Sequence, residues 1–220
     1  MNILALEFSS EERSVAVLPD GGTREPFVAT LRASPRTLNA FQLIEKALRE
    51  AQIDREAIEL LAMGLGPGSY TGIRAAISIA QAWQLARGVR LLGISSVECL
   101  AAQARSEGIA GRVTFVIDAQ RNEFYVATYE IAKGGCQIID ALRIETFAEV
   151  KARAGAGEIL MGPEPLVAFP ARRVVSPNAA ALARLAVGRT DFVSGEAIEP
   201  IYLRETRFVK APPLRILPTA

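Results

Sequence analysis

The chain has 220 residues, of which 50% are hydrophobic and 22% are charged, and its formal net charge is +1. This length and apolar content suffice for one large domain or for two small lobes, each with its own buried core. A net charge so close to zero excludes a protein that binds a nucleic-acid backbone by its own positive field. The sequence contains no histidine, so the commonest general base and the commonest transition-metal ligand are both absent.

The first half of the chain alternates between strand and helix patterns. Short apolar runs bounded by turn residues predict five strands, at residues 2–6, 14–18, 26–31, 60–65 and 90–94. Apolar residues at helical spacing predict three helices, at residues 35–51, 73–87 and 96–105, the first opened by Ser34-Pro35. The second helix is apolar or small nearly all round, so we expect it to be buried on two sides, inside its own domain or against a partner.

The pattern restarts after the glycine at residue 108. Further strands are predicted at residues 113–117, 123–131, 137–144 and 158–161, and further helices at residues 147–154 and 178–187. Each half opens with antiparallel strands and continues with alternating strand and helix. We therefore predict an α/β protein of two lobes, residues 1–107 and 108–220, with a loosely ordered proline-rich end at residues 211–220.

The sequence predicts neither a targeting signal nor a functional pair of cysteines. No stretch of 18 or more residues is apolar and uncharged, and the first residues run into Glu7 without the basic start of a secretory signal. Cys99 and Cys136 match no disulfide or metal spacing, which is typical of reduced thiols. We expect a cytoplasmic protein with no membrane segment and no metal site.

A glycine-rich turn, Gly66-Pro67-Gly68-Ser69-Tyr70-Thr71-Gly72, lies where the fourth predicted strand becomes the second helix. Helix N-termini present free N–H groups that suit anions. However, Gly72 is followed by Ile73-Arg74 and not by the Lys-Ser/Thr of a Walker loop, and the glycine spacing differs from that of a dinucleotide-binding loop. The residues alone leave two alternatives, an anion site and a tight structural turn in which Ser69 and Thr71 cap the helix.

These stretches together resemble the TsaB (YeaZ) family of the actin-like ATPase superfamily. The strongest likeness runs from Gly66 to Arg74, which is similar to the family's G-P-G-S-[FY]-T-G-[LIV]-R hallmark at every position. Weaker matches lie at residues 3–9, 93–98, 118–119, 123–125 and 200–204. The resemblance extends from the first strand to beyond Arg204 and implies two actin-like lobes of the ribonuclease H type, with mixed sheets flanked by helices.

Two stretches of the chain depart from the family pattern. The family opens I-D-T-S, and its catalytic relatives use the aspartate to organise a nucleotide-bound metal, but this chain has Glu7 and Phe8 there. The family's D-A-R becomes Asp118-Ala119-Gln120, which loses a cation. We therefore expect no cofactor of the chain's own, with Glu7 and Ser9 as candidate contacts for ATP or ADP at a joint with a partner.

The resemblance implies a non-catalytic subunit. Family members bind the catalytic paralogue TsaD and, with the ATPase TsaE, support threonylcarbamoyl transfer to the adenosine beside the anticodon of tRNA. The resemblance further implies a homodimer when the chain is alone, tRNA contact only through the complex, and a partner surface on the first lobe. The candidate residues for partner contact or for the structural turn are Gly66, Gly68, Ser69, Thr71, Gly72, Arg74, Ala76, Ala80 and Trp83.

Two enzyme classes stand as alternatives. An independent actin-like ATPase or kinase needs a second phosphate loop, which neither Gly155-Ala156-Gly157 nor Gly162-Pro163-Glu164 resembles. A peptidase would have to work without histidine, and none of the lysines stands near a nucleophilic serine in a recognisable motif. Arg74 likewise has two interpretations, a contact to a phosphate or a partner's carboxylate, and a solvated arginine at a helix start.

Overall fold

The computed structural model describes residues 1–23, 25–32, 40–164, 169 and 172–204. Within these ranges the chain forms two five-stranded sheets and five α-helices. The strands are β1 (Asn2–Glu7), β2 (Glu12–Leu18), β3 (Phe27–Arg32), β4 (Ile58–Gly64), β5 (Arg90–Ile94), β6 (Gly111–Asp118), β7 (Glu123–Ala132), β8 (Gly135–Thr146), β9 (Ile159–Gly162) and β10 (Arg173–Val174). The helices are α1 (Ala40–Ala51), α2 (Tyr70–Arg87), α3 (Ser96–Ser106), α4 (Phe147–Gly155) and α5 (Ala179–Leu185).

The first sheet has the strand order β3-β2-β1-β4-β5, with β1, β2 and β3 antiparallel and β4 and β5 parallel to β1. Its central strand β1 is buried on both faces because helices cover both. Leu4 and Leu6 point into a core with α1 and α2, whereas Ile3 and Ala5 point into a core with α5. Because side chains alternate between the two faces of a strand, even-numbered apolar residues of β1 lie in one core and odd-numbered apolar residues in the other.

The second sheet repeats this topology in the order β10-β9-β6-β7-β8. Its strands β6, β7 and β8 are antiparallel, and β9 and β10 continue in parallel from β6. Helix α3 contributes Val97, Leu100 and Ala104 to one face of this sheet, and α4 contributes Val150 to the other. The predicted fold class, two α/β lobes with mixed sheets flanked by helices, is confirmed.

Two helices pack differently from the sequence prediction. Helix α5 was predicted within the second lobe, but its small residues Ala179 and Ala183 let it lie closely on β1 and β2 of the first sheet. The Ala179 N–H donates to the Ser14 hydroxyl at 2.8 Å. Helix α3 is shared, since Cys99 packs with the first sheet and Leu100 with the second. The division of the chain between residues 107 and 108 stays a prediction.

The remaining predicted elements agree with the structure to within a few residues. Strand β10 was missed because two residues are too few for an alternating pattern to show. The predicted helix start at Ser34-Pro35 and the predicted loose end at residues 211–220 lie outside the described residues. None of the described helices has the length and apolar character needed to cross a membrane.

Candidate functional site

The glycine turn packs backbone against backbone on the residues that follow β1. A Cβ added at Gly68 would lie 2.1 Å from the Ser9 carbonyl oxygen, and the same oxygen accepts a hydrogen bond from the Ser69 N–H at 2.6 Å. A Cβ added at Gly72 would lie 2.0 Å from the carbonyl oxygen of Phe8. The glycines are therefore required by close approach of two backbone segments. This observation favours the structural interpretation of the turn.

The predicted cap of α2 is only partly correct. The Ser69 hydroxyl accepts a hydrogen bond from the Gly72 N–H at 3.3 Å, so Ser69 is the N-cap. Thr71 is the second residue of the helix and is exposed, so it lies past the cap position. Arg74 is exposed one turn further on, where it donates to the Tyr70 hydroxyl at 2.9 Å and lies over the Tyr70 ring. The start of α2 thus presents an arginine held beside an aromatic ring.

Glu7 lies buried behind the glycine turn. Its carboxylate accepts hydrogen bonds from the Ser9 N–H at 2.8 Å and from the Ser96 hydroxyl at 3.0 Å, and Ser96 in turn accepts from the Gly66 N–H at 3.2 Å. Burial raises the pKa of Glu7, and hydrogen bonds from Ser9 and Ser96 oppose that rise. The space for this carboxylate exists because Gly64 has no side chain. Through Ser96, Glu7 therefore links the glycine turn to α3, and its side chain is completely buried.

A cleft of about 490 Å³ separates the lobes next to this turn. It is lined by residues from both lobes, namely Ser9, Ser10, Glu11, Gly68, Ser69, Tyr70, Asp118, Ala119, Gln120, Tyr125, Glu164 and Tyr202. Three of these are carboxylates, and none of the described lining residues is a lysine or arginine. Burial raises the pKa of Glu164. A phosphate group entering this cleft would meet the carboxylates of Glu11 and Asp118, which carry charge of its own sign.

Metal ligation finds no support in the described part of the chain, where no group of three or more histidine, cysteine or acidic side chains could hold an ion. Asp118 instead accepts hydrogen bonds from the backbone and side-chain amides of Gln120, at 2.7 and 3.2 Å. The residue that replaces the family's arginine therefore pairs with the neighbouring aspartate.

An apolar groove lies on the first lobe between α1 and α2. Its volume is about 640 Å³. Its lining residues are Ala40, Phe41, Ile44, Glu45, Leu48, Arg55, Glu56, Ala75, Ser78, Ile79, Ala82, Trp83, Ala86 and Arg87. Phe41 is 70% exposed although it is a large aromatic residue. A continuous apolar surface of this kind is typical of a site that a partner covers.

The predicted partner residues of α2 divide between this groove and the protein core. Trp83 lines the groove, but Ala76 and Ala80 are fully buried against the first sheet. A partner contact by these two alanines is therefore excluded by their packing. The apolar groove residues on α2 that the sequence analysis did not single out are Ala75, Ile79, Ala82 and Ala86. Their helical spacing was visible, but only the position of the sheet distinguishes their face from that of Ala76.

Comparisons with known proteins place the chain in a family. Residues 32–170 match the family model described as TsaD: tRNA N6-adenosine threonylcarbamoyltransferase. Over 135 residues the chain is 33% identical to the tRNA threonylcarbamoyladenosine biosynthesis protein TsaB of Escherichia coli, a match that covers 61% of this chain and 58% of that protein. The solved structure of YeaZ from Pseudomonas aeruginosa superposes with a TM-score of 0.76 at 28% identity, and covers 92% of this chain and 99% of that one. The chain belongs to the TsaB (YeaZ) branch of the TsaD family.

The matches cover only part of each curated relative, and this limits which of the relatives' properties can be assigned to this TsaB-family chain. The chain spans only 58% of the length of the Escherichia coli protein and 52% of the Haemophilus influenzae TsaB, with which it shares 31% identity over 125 residues. The residues matched by the family model include α1 and α2, and hence both walls of the groove. The groove therefore belongs to the part of the TsaB-family chain for which the relationship is shown.

Proposed function

We propose that this TsaB-family chain is a non-catalytic subunit that binds a TsaD-like paralogue through the groove between α1 and α2. In that complex it supports threonylcarbamoyl transfer to the adenosine next to the anticodon of tRNA. The observation that carries the proposal is the apolar groove on the first lobe, which none of the described residues covers. The names of the curated relatives, which refer to tRNA threonylcarbamoyladenosine biosynthesis, support the assignment of the pathway.

Burial of the groove would supply the energy for association. Phe41 is 70% exposed, and Trp83 is only partly buried. Covering one large apolar side chain contributes about 1.5–3 kcal/mol, so a partner that covers both aromatic rings gains a substantial part of its binding energy there. Glu45, Arg55 and Arg87 at the rim carry both signs of charge, which favours one register of docking over others.

The family relationship supports a TsaD-like protein as the partner. The matching model spans α1 and α2, so a TsaD-family paralogue is expected to carry an equivalent helix pair on its own first lobe. Two such pairs pack as a small helical bundle, with the side-chain ridges of one in the grooves of the other. The same surface would form an isologous homodimer when the chain is alone.

The chemistry of the inter-lobe cleft supports a non-catalytic role. The sequence contains no histidine, and Glu11, Asp118 and Glu164 line the cleft where an actin-like enzyme would receive phosphates. We assign nucleotide turnover to a TsaE-like ATPase. Any ATP or ADP that binds near this chain is assigned to the interface between the chain and its partner, where Ser9 is the candidate contact. Contact with tRNA is assigned to the cytoplasmic complex, because the net charge of +1 is too small to hold RNA alone.

Size-exclusion chromatography with light scattering tests the proposal. The chain, its host's TsaD-like paralogue and their mixture are compared at micromolar concentration and moderate salt. The wild-type pair is expected to elute as one mixed complex. Separate elution, even with ATP and the host's TsaE-like protein added, would overturn the partner assignment.

Two matched variants test the groove itself. Ala82→Glu places a charge on the exposed wall of the groove, whereas Ala154→Glu places the same charge on exposed helix α4 of the second lobe. Ala82→Glu is expected to weaken binding to the paralogue at least about tenfold, because a charge would be desolvated against apolar groups. Ala154→Glu is expected to bind normally. Equal binding by both variants would place the interface elsewhere.

A further inference from the structure

The segment from Val193 to Arg204 runs beside α2 and follows α5, the last of the described helices. Its first anchor is on β5, where the Val193 N–H donates to the Leu91 carbonyl at 3.0 Å. Its second anchor is on α2, where Gln81 donates to the Gly195 carbonyl at 2.7 Å and Gln84 accepts from the Gly195 N–H at 2.7 Å. The segment therefore starts at the C-terminal end of α2.

The same segment continues to the opposite end of α2. Ile198 is buried in the core beneath the helix. The Ile201 N–H then donates to the Leu65 carbonyl at 2.9 Å, just before the glycine turn. The ring of Tyr202 lies 5.5 Å from that of Tyr70, the first residue of α2. The segment thus contacts both ends of the flank of α2 that faces neither the sheet nor the groove.

Arg204 carries the segment across to the second lobe. Its guanidinium donates to the Ala119 carbonyl at 2.9 Å and pairs with the Glu123 carboxylate. Both acceptors flank the turn between β6 and β7. In that turn Gln120, Arg121 and Asn122 all have positive φ, between 59° and 65°. Three successive non-glycine residues rarely adopt that conformation without support from surrounding contacts.

We infer that residues 193–204 form an inter-lobe strap that sets the width of the cleft. The strap is fixed to the first lobe by backbone and side-chain hydrogen bonds along α2, and to the second lobe by Arg204. Tyr202, between the two attachments, lines the cleft itself. Because the strap holds the β6–β7 turn, the lobes stay at one separation without any ligand in the cleft. The strap also couples the position of the second lobe to α2, one wall of the groove.

A distance measurement between the lobes in the isolated chain tests this inference independently of any partner. Spin labels are placed at Glu50→Cys on α1 and Lys151→Cys on α4, both exposed, in a Cys136→Ser background. Pulsed electron spin resonance then compares wild type with Arg204→Ala. The matched control is Arg112→Ala, which removes an exposed arginine from the other end of β6.

Arg204→Ala is expected to broaden the distance distribution, and Arg112→Ala is expected to leave it as in wild type. Amide exchange of Ala119 and Glu123 is expected to rise about tenfold in Arg204→Ala, as for the loss of a charge-assisted hydrogen bond. Tyr202→Ala removes a different attachment and is expected to broaden the distribution too, which covers the case in which Arg204→Ala does not fold. An unchanged distribution in the folded variants would overturn the strap.

Discussion

The α-carbon of Gly72 lies so close to the carbonyl oxygen of Phe8 that a Cβ added at Gly72 would stand 2.0 Å from that oxygen. Because the oxygen belongs to the backbone of a buried segment, it cannot rotate away as a side chain could. Gly72→Ala is expected to lower the free energy of unfolding by about 3 kcal/mol, measured by urea denaturation. Gly134→Ala, with open space around its Cβ, is expected to change it by less than about 0.5 kcal/mol. Equal midpoints would contradict the backbone clash.

The buried carboxyl of Glu7 predicts a pH dependence of stability. Burial raises its pKa in the folded state above the ordinary value of 4.5, so the folded protein holds this proton more tightly than the unfolded chain. The resulting stabilisation is complete below the ordinary pKa and is lost as pH rises through the folded value. Glu7→Gln stays neutral and should therefore gain stability relative to wild type as the pH rises from about 4.5 to 8. Parallel pH profiles from urea denaturation would refute this.

Ala76 and Ala82 lie on the same helix, but a charge should destabilise the protein strongly at Ala76 and little at Ala82. Ala76 is fully buried against the sheet, and Ala82 is exposed in the groove. Ala76→Asp is expected to cost at least about 3 kcal/mol of folding stability, because a buried charge would have no partner. Ala82→Asp is expected to change thermal stability by less than about 1 kcal/mol. A normal melting curve for Ala76→Asp would show that the packing of α2 is wrong.

Arg153 joins α4 to the second sheet through a partly buried ion-pair network. It donates to both oxygens of Glu145, at 2.9 and 2.8 Å, and to Glu158 at 3.1 Å. These bonds raise the pKa of Arg153. Arg153→Met should destabilise the protein by about 3 kcal/mol, since the Glu145 carboxylate is only 5% exposed. Arg143→Met removes a half-exposed partner of the same carboxylate and should cost about 1 kcal/mol or less. Urea denaturation compares the two, and equal losses would mean that burial does not distinguish them.

The sequence by itself determined the local elements and the family. Alternating and helical periodicities located nearly all strands and helices because they depend on residues near one another in the chain. The stretch from Gly66 to Arg74 was recognisable because close backbone approach tolerates only glycine at Gly68 and Gly72. The cap at Ser69 followed from the same local chemistry.

Only the tertiary structure decided which faces of those elements are buried and by what. Helix α2 is apolar nearly all round, so its sequence could not assign Ala76 to the core and Ala82 to the groove. The position of helix α5 in the sequence predicts that it belongs to the second lobe, but its alanines pack on the first sheet. The bond from Arg204 to Ala119 joins residues 85 positions apart. Such contacts depend on how whole elements are arranged in space, and the periodicity of residues along the chain does not specify that arrangement.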